Sequence, residues 1–200
     1  VAIGHDALAS QNFASATNSY NTAVGSQAGV AVTTGYNNTL VGGLSGDGIT
    51  TGHSNTTLGV SSLGINTTGI YNTALGIAAL ESNTTASYNT AVGARSLEDN
   101  TTGASLVAVG YAALDKNTTG DNNTAVGESA LGANTTASYN TAVGTGALLA
   151  NTTGAYNNAV GANALTTNTT GAANFAGGWS ALYSNTTGAS NVAIGHAALN

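Results

Sequence analysis

Apolar and polar positions return along this chain with a single period. The stretch Tyr88-Asn89-Thr90-Ala91-Val92-Gly93-Ala94-Arg95-Ser96-Leu97-Glu98-Asp99-Asn100-Thr101-Thr102-Gly103 recurs in close variants from end to end. The glycine that closes Asn-Thr-Ala-Val-Gly falls at Gly25, Gly42, Gly59, Gly76, Gly93, Gly110, Gly127, Gly144, Gly161, Gly178 and Gly195, an interval that never changes. Counting that glycine as position 0, position 16 is Val41, Leu58, Leu75, Val92, Val109, Val126, Val143, Val160 and Ile194, with Gly177 as the exception, and position 15 is mostly Ala. Small and branched residues alternating over three positions read as a short strand. Position 4 is a second apolar rank: Leu63, Leu80, Leu97, Leu114, Leu131, Leu148, Leu165, Leu182 and Leu199. Only about 6 residues separate the motif glycine from the following Asn-Thr-Thr, too few for an ordinary helix of about 8 or more. The pattern therefore predicts short strands and turns, with two or three strands per coil and with the position-16 Val and the position-4 Leu inside.

A fixed short period means that each unit repeats one supersecondary element and stacks on its neighbours. The expected fold class is all-β: a parallel β-solenoid of about eleven 17-residue coils, filling residues 1–200 as one repeat region. The single break in register lies between Gly4 and Gly25, which exceeds the common interval by four, so a four-residue insertion falls within 9–17 and predicts a bulged loop there. Both Val1 and Asn200 fall in mid-repeat. Solenoids are ordinarily closed by polar caps, so the expectation is a segment of a longer chain or subunits that stack end to end.

Asn and Gly mark the turns. Positions 7 to 10 read Asn-Thr-Thr-Gly or Asn-Thr-Thr-Ala in eight successive units, and a second Asn stands at position 13 in Asn72, Asn89, Asn123, Asn140, Asn157, Asn174 and Asn191. In a parallel coil, identical residues lie about 4.8 Å above one another, so their amides are expected to hydrogen-bond into a ladder.

Composition narrows the function classes. Charged residues make up 5% of the chain against 42% hydrophobic, a balance that opposes disorder because the apolar residues are periodic. The net charge is −6 and the only cations besides His are Arg95 and Lys116, which argues against nucleic acid and against anionic membranes. No apolar run approaches the ~20 residues of a membrane span. With no cysteine, neither disulfides nor thiolate metal sites hold the fold. The acids, bases and histidines occupy variable positions near the turns and are expected to face solvent.

Asn191-Val192-Ala193-Ile194-Gly195, Val107-Ala108-Val109-Gly110 and the repeated Asn-Thr-Ala-Val-Gly resemble the head repeats of YadA-like trimeric autotransporter adhesins over nearly the whole chain. The half-repeat Ala181-Leu182-Tyr183-Ser184-Asn185-Thr186-Thr187-Gly188 is similar to repeats of phage tail fibres and of surface fibre proteins that end in an intramolecular chaperone domain. The resemblance implies a left-handed β-roll, three chains side by side, and the shaft or head of an extracellular, cell-surface or virion fibre. The longer, uniform unit and the Thr-Thr pair depart from the adhesin head and favour the shaft.

The functional expectation is accordingly a structural shaft or head serving adhesion or receptor attachment, with no catalysis, no cofactor and no metal. His5, His53 and His196 lie on widely separated coils, and eight acids over eleven coils form no continuous calcium-binding rank. Self-association is the expected partnership, as a homotrimer, an end-to-end filament or both, together with a host-surface or glycan ligand. Asn66, Asn83, Asn100, Asn117, Asn134, Asn151, Asn168 and Asn185 each head a formal N-glycosylation sequon, against which stands the plainer reading of a turn ladder. The Thr-Thr pairs from Thr33-Thr34 to Thr186-Thr187 suggest an alternative, an ice-binding solenoid presenting Thr ranks. Tyr20, Tyr71, Tyr88, Tyr139 and Tyr156 share position 12, a broken aromatic rank expected to pack between neighbours rather than to bind sugars. The small Ala at position 15 in Ala74, Ala91, Ala108, Ala125, Ala142, Ala159, Ala176 and Ala193 forms a strip expected to be the seam between chains.

Overall fold

A computed structural model describes residues 1–12 and 18–200. Twelve strands, one per coil, run from β1 (Ala2–Ile3) and β2 (Thr22–Val24) to β12 (Val192–Ile194) and form one parallel sheet in sequence order. The described residues contain no helix. Register is strict: Thr90, Ala91 and Val92 pair with Val107, Ala108 and Val109 of the next coil. Only the first pair differs, since Ala2 lies beside Ala23 and Ile3 beside Val24, across the longer first circuit. Of the bulged loop expected within 9–17, residues 13–17 lie outside the described residues.

Each complete coil holds one three-residue strand rather than two or three, because the rest of the circuit is spent on turning. Beyond the motif glycine, three positions in every complete coil adopt the left-handed region, and most are not glycine, as in Arg95 (φ 60°), Leu97 (φ 54°) and Ser105 (φ 59°). Gly93 at position 0 has φ 131°, and a Cβ there would stand 2.5 Å from the Gly110 carbonyl oxygen of the next coil. Only glycine meets both demands, which is why the motif glycine never varies. The turns are still hydrogen-bonded along the axis: Leu97 N–H donates to Ala113 O at 3.0 Å and Thr101 N–H to Thr118 O at 3.0 Å.

The expected assignment of inside and outside on the strand is reversed. The position-15 alanines, Ala74, Ala91, Ala108, Ala125, Ala142, Ala159, Ala176 and Ala193, are buried within their own chain and cannot be its seam with another. The position-16 residues point outward, Leu58 and Val160 being 54% and 45% exposed. Bulk explains the reversal. The position-4 Leu enters the interior from the opposite wall, and a coil this narrow leaves room only for a methyl on the strand facing it. Position 3, Ala or Ser, completes the apolar half of the core.

Two coils test that account. Leu is replaced at position 4 by Gly29 and Gly46, and there the missing bulk comes from Leu40 at position 15 and from Val32 and Ile49 at position 7. A Cβ on Gly46 would lie 2.8 Å from both Ile49 Cδ1 and Leu40 Cδ2.

Asparagine fills the other half of the interior. Asn117 Nδ2 donates to Asn100 Oδ1 at 2.9 Å, and its own Oδ1 accepts from Asn134 Nδ2 at 2.8 Å. Such rungs join every coil from Asn66 to Asn185. At position 13, Asn89 Oδ1 accepts the backbone N–H of Leu106 at 3.0 Å, and Asn89 Nδ2 donates to Gly103 O at 2.9 Å. Gly103 O also receives Asn100 Nδ2 at 2.9 Å, so both ladders meet on one carbonyl. Among the described residues only Asn140 Nδ2 and Asn158 Oδ1 are buried side-chain polar atoms without a partner.

Two experiments follow. Leu40→Ala should destabilise by about 2–5 kcal/mol in urea unfolding and Gly46→Leu by about 1–3 kcal/mol through overpacking. The double variant should recover part of both losses, and simple additivity would refute the exchange of bulk. Asn117→Asp removes two donated bonds and sets a carboxylate against Asn100 Oδ1 and Gly120 O. It should cost at least about 3 kcal/mol relative to wild type at neutral pH. Protonation relieves the carboxylate, so the loss should shrink in acid, and a penalty that does not change with pH in thermal melts would count against this account.

Candidate functional site

The eight sequon asparagines are the rungs of the position-7 ladder. From Asn66 to Asn168 they are fully buried, and Asn185 is half-buried. At the seven buried positions a glycan on Nδ2 would remove the donor that binds the rung below and has no space to enter, whereas at Asn185 it would break the bonds to Asn168 and Gly188 at a half-buried rung. The adjacent Thr ranks divide. Position-8 hydroxyls donate axially, as Thr101 Oγ1 to Thr118 O at 2.9 Å, whereas the position-9 column from Thr34 to Thr187 is exposed in every coil.

Charged groups gather more than their spacing suggested. Arg95 Nε lies 2.5 Å from Glu98 Oε2, Lys116 Nζ is 2.9 Å from Asp99 Oδ2, and Asp115 stands 3.7 Å from Lys116 and 4.0 Å from Arg95. Both cations thus tie two successive coils together. The expectation that every acid faces solvent fails here, because the Asp115 side chain is only 14% exposed. Burial pushes its carboxyl up, Lys116 and Arg95 draw it down, and Asp99 and Glu98 push it up again. Among the described residues no three His, Asp or Glu side chains converge as a metal site requires. No helix is long and apolar enough to cross a membrane.

Aromatic rings form two columns on the edge that carries positions 11 and 12. Tyr36 stacks on His53 at 4.4 Å, His53 meets Tyr71 edge-on at 5.6 Å, and Tyr71 stacks on Tyr88 at 5.4 Å. Tyr139 and Tyr156 stack at 5.1 Å. Position 12 does pack ring against ring, and Tyr36 and His53 of position 11 extend the column, which counting a single position had missed.

A concavity interrupts the regular surface of the coil around Gly178. About 350 Å³ in volume, it is lined by Asn163, Trp179, Ser180, Tyr183 and Asn200. Its signal in the sequence is the coil around Gly178, where Phe175, Gly177, Trp179 and Tyr183 all depart from the repeat. Phe175 and Gly177 are coupled, since a Cβ at Gly177 would lie 3.3 Å from the Phe175 ring.

Asp47 supplies a test of the electrostatics. It joins no ion pair among the described residues. Burial raises its carboxyl above the ordinary range, against the lowering effect of the Asp47 and Gly48 backbone N–H groups. The folded chain therefore holds this proton more tightly than the unfolded chain, and its contribution to stability is present at low pH and lost as pH rises through the raised value. Asp47→Asn should be more stable than wild type at neutral pH by a few tenths of a kcal/mol, about what a partly solvated carboxylate allows. In denaturant titrations the gain should vanish below the carboxylate range, and an equal gain at acid pH would contradict it.

Compared with protein-family models, with curated proteins and with solved structures, the chain matches none.

Proposed function

We propose that this chain is a rigid rod, the shaft of an extracellular fibre or filament that serves attachment and performs no chemistry. The observation that carries the reading is the continuous axial hydrogen bonding. Sheet, turns, Thr hydroxyls and both Asn ladders all bond coil to coil, so bending at any point strains several ladders at once. Twelve strands at about 4.8 Å give a rod roughly 53 Å long.

The rod associates side by side through the outer face of its sheet rather than through alanine. Positions 14 and 16 present Thr, Val, Leu and Ile in columns interrupted only by Asn158, Phe175 and Gly177, and no charged residue stands at either position in any coil. The occupants are two further copies of the same strip around one axis, the homotrimer that the adhesin resemblance implies. A strip roughly 53 Å by 10 Å, three residues at about 3.3 Å each, offers on the order of 500 Å² per copy, against about 800 Å² per partner in a standard interface. Each added coil widens the contact, so association strengthens with the number of repeats. The exposed position-9 Thr column is the feature an ice-binding rod would use. The tethered position-8 hydroxyls leave it one rank wide, and the shaft reading is preferred.

Light scattering tests the seam. The wild-type chain should scatter as an oligomer at micromolar concentration, and Val109→Asp with Val143→Asp should reduce it to monomers with an unchanged β circular-dichroism spectrum. Charges forced into an apolar seam cost several kcal/mol unless paired. A monomeric wild type, or a doubly substituted chain that assembles like it, would overturn the assignment.

A further inference from the structure

We infer that the concavity around Trp179 is a binding site for a neutral saccharide ring. This goes beyond the shaft reading and does not depend on it, since all five lining residues belong to one chain. Where the interior positions are fixed by stacking, a site for a single small ligand is sought where the outer positions depart from the repeat. The coil around Gly178 departs most. Position 5 is acidic at Asp47, Glu81, Glu98 and Asp115 but becomes Tyr183 here, and position 1 carries Trp179, the only tryptophan of the chain.

The volume of about 350 Å³ falls within the range of small-molecule sites, about 300–1,000 Å³. Two aromatic side chains line it, Trp179 half-exposed and Tyr183 38% exposed, together with the uncharged polar residues Asn163, Ser180 and Asn200. His196 stacks on the indole at 4.7 Å and supports it from one face. The backbone below is set: Asn163 N–H donates to Thr145 O and Ser180 N–H to Ala162 O, both at 2.9 Å. Preorganised walls of this kind reduce the ordering cost of binding.

Charge selects the class of ligand. From Ser129 to Asn200 the chain contains no Asp, Glu, Lys or Arg. The five lining side chains are all uncharged, so apart from His196, which stacks on Trp179, a charged ligand would lose its hydration without a side-chain countercharge. The ligand must be uncharged, have a face that stacks on aromatic rings, and carry groups that both donate to and accept from Asn amides and a Ser hydroxyl. A pyranose has an apolar C–H face and a rim of hydroxyls, and it meets all three demands. A nucleoside shares the stacking face, but in a nucleotide its phosphate would find no cation here, because Arg95 and Lys116 belong to coils well below.

The sole tryptophan makes the test direct. The full chain is titrated with glucose, galactose and N-acetylglucosamine, and in parallel with adenosine, while Trp179 emission is followed and saturation-transfer NMR on the methyl glycosides gives a second readout. At least one sugar should give a saturable change with a millimolar midpoint, with adenosine weaker. Asn163→Ala and Tyr183→Ala, neither of which touches the Leu-Ala core, should each raise that midpoint about tenfold while the thermal midpoint stays at the wild-type value. Three results would overturn the site: no saturable response in either readout up to about 100 mM, far weaker than the millimolar affinities expected of a single ring; variants that bind as wild type does; or binding of adenosine in preference to every sugar. Failure of self-association leaves this test intact, and failure of this test leaves the rod intact.

Discussion

An interior only one leucine wide is the constraint from which the rest of this molecule follows. So short a circuit cannot enclose two facing layers of large side chains, so one wall must supply the bulk and the other must withdraw to a methyl. Leu at position 4 supplies it, at a backbone conformation that L-residues resist by about 1–2 kcal/mol. Burying that Leu returns about 1.5–3 kcal/mol. The two nearly cancel, so the fold has little surplus to draw on from its apolar core and depends on bonding along the axis. The Gly29, Gly46 and Leu40 exchange shows the same constraint from the other side: where the Leu is lost, its volume reappears at Leu40 on the strand wall and at Val32 and Ile49 of position 7.

Axial bonding explains why the polar half of the core is asparagine. Each rung needs two donors and one acceptor at short reach, one donor for the turn carbonyl of its own coil and one for the neighbouring rung. Ser or Thr has a single donor, and a carboxylate has none. Convergence of both ladders on the position-10 carbonyl then locks the turn to the strand-entry corner, as at Gly103, Ala137 and Gly171. Leu106 shows that one rung can be apolar when its coil neighbours hold the register, since its N–H is still accepted by Asn89.

The period, the strand at positions 14 to 16, the parallel order and the ladder were all legible in the sequence, because each depends only on spacing and on side-chain type. Which face of the strand is buried was not. Thr-Ala-Val alternates, but Ala and Val are both apolar, and the larger one is the natural choice for a core. The deciding fact is the Leu that arrives from across the coil, and no local pattern reveals what stands opposite. The sequon asparagines misled for a similar reason: Asn beside Thr-Thr-Gly reads as a surface turn, and only closure of the coil turns that side chain inward. Asp115 illustrates the remaining gap. Its pairing with Arg95 and Lys116 follows from positions 2, 5 and 6 of adjacent coils, yet its low exposure depends on how those longer side chains lie over it.

Substitution along the repeat is therefore ordered by direction. Positions 3, 4, 7, 10, 13 and 15 face the interior or its ladders and vary little. Every charged residue and every histidine falls at positions 1, 2, 5, 6 or 11. Positions 14 and 16 also face outward, and nothing within the chain forbids a charge there, since Leu58, Val160 and Ile194 stand exposed on the sheet. Yet from the first coil to the last neither position carries one. The exposed position-9 Thr column is equally free of charge. Uncharged columns thus run along the sheet face and beside the turn alike, whereas charge, the aromatic columns and the Trp179 concavity are confined to positions 1, 2, 5, 6, 11 and 12.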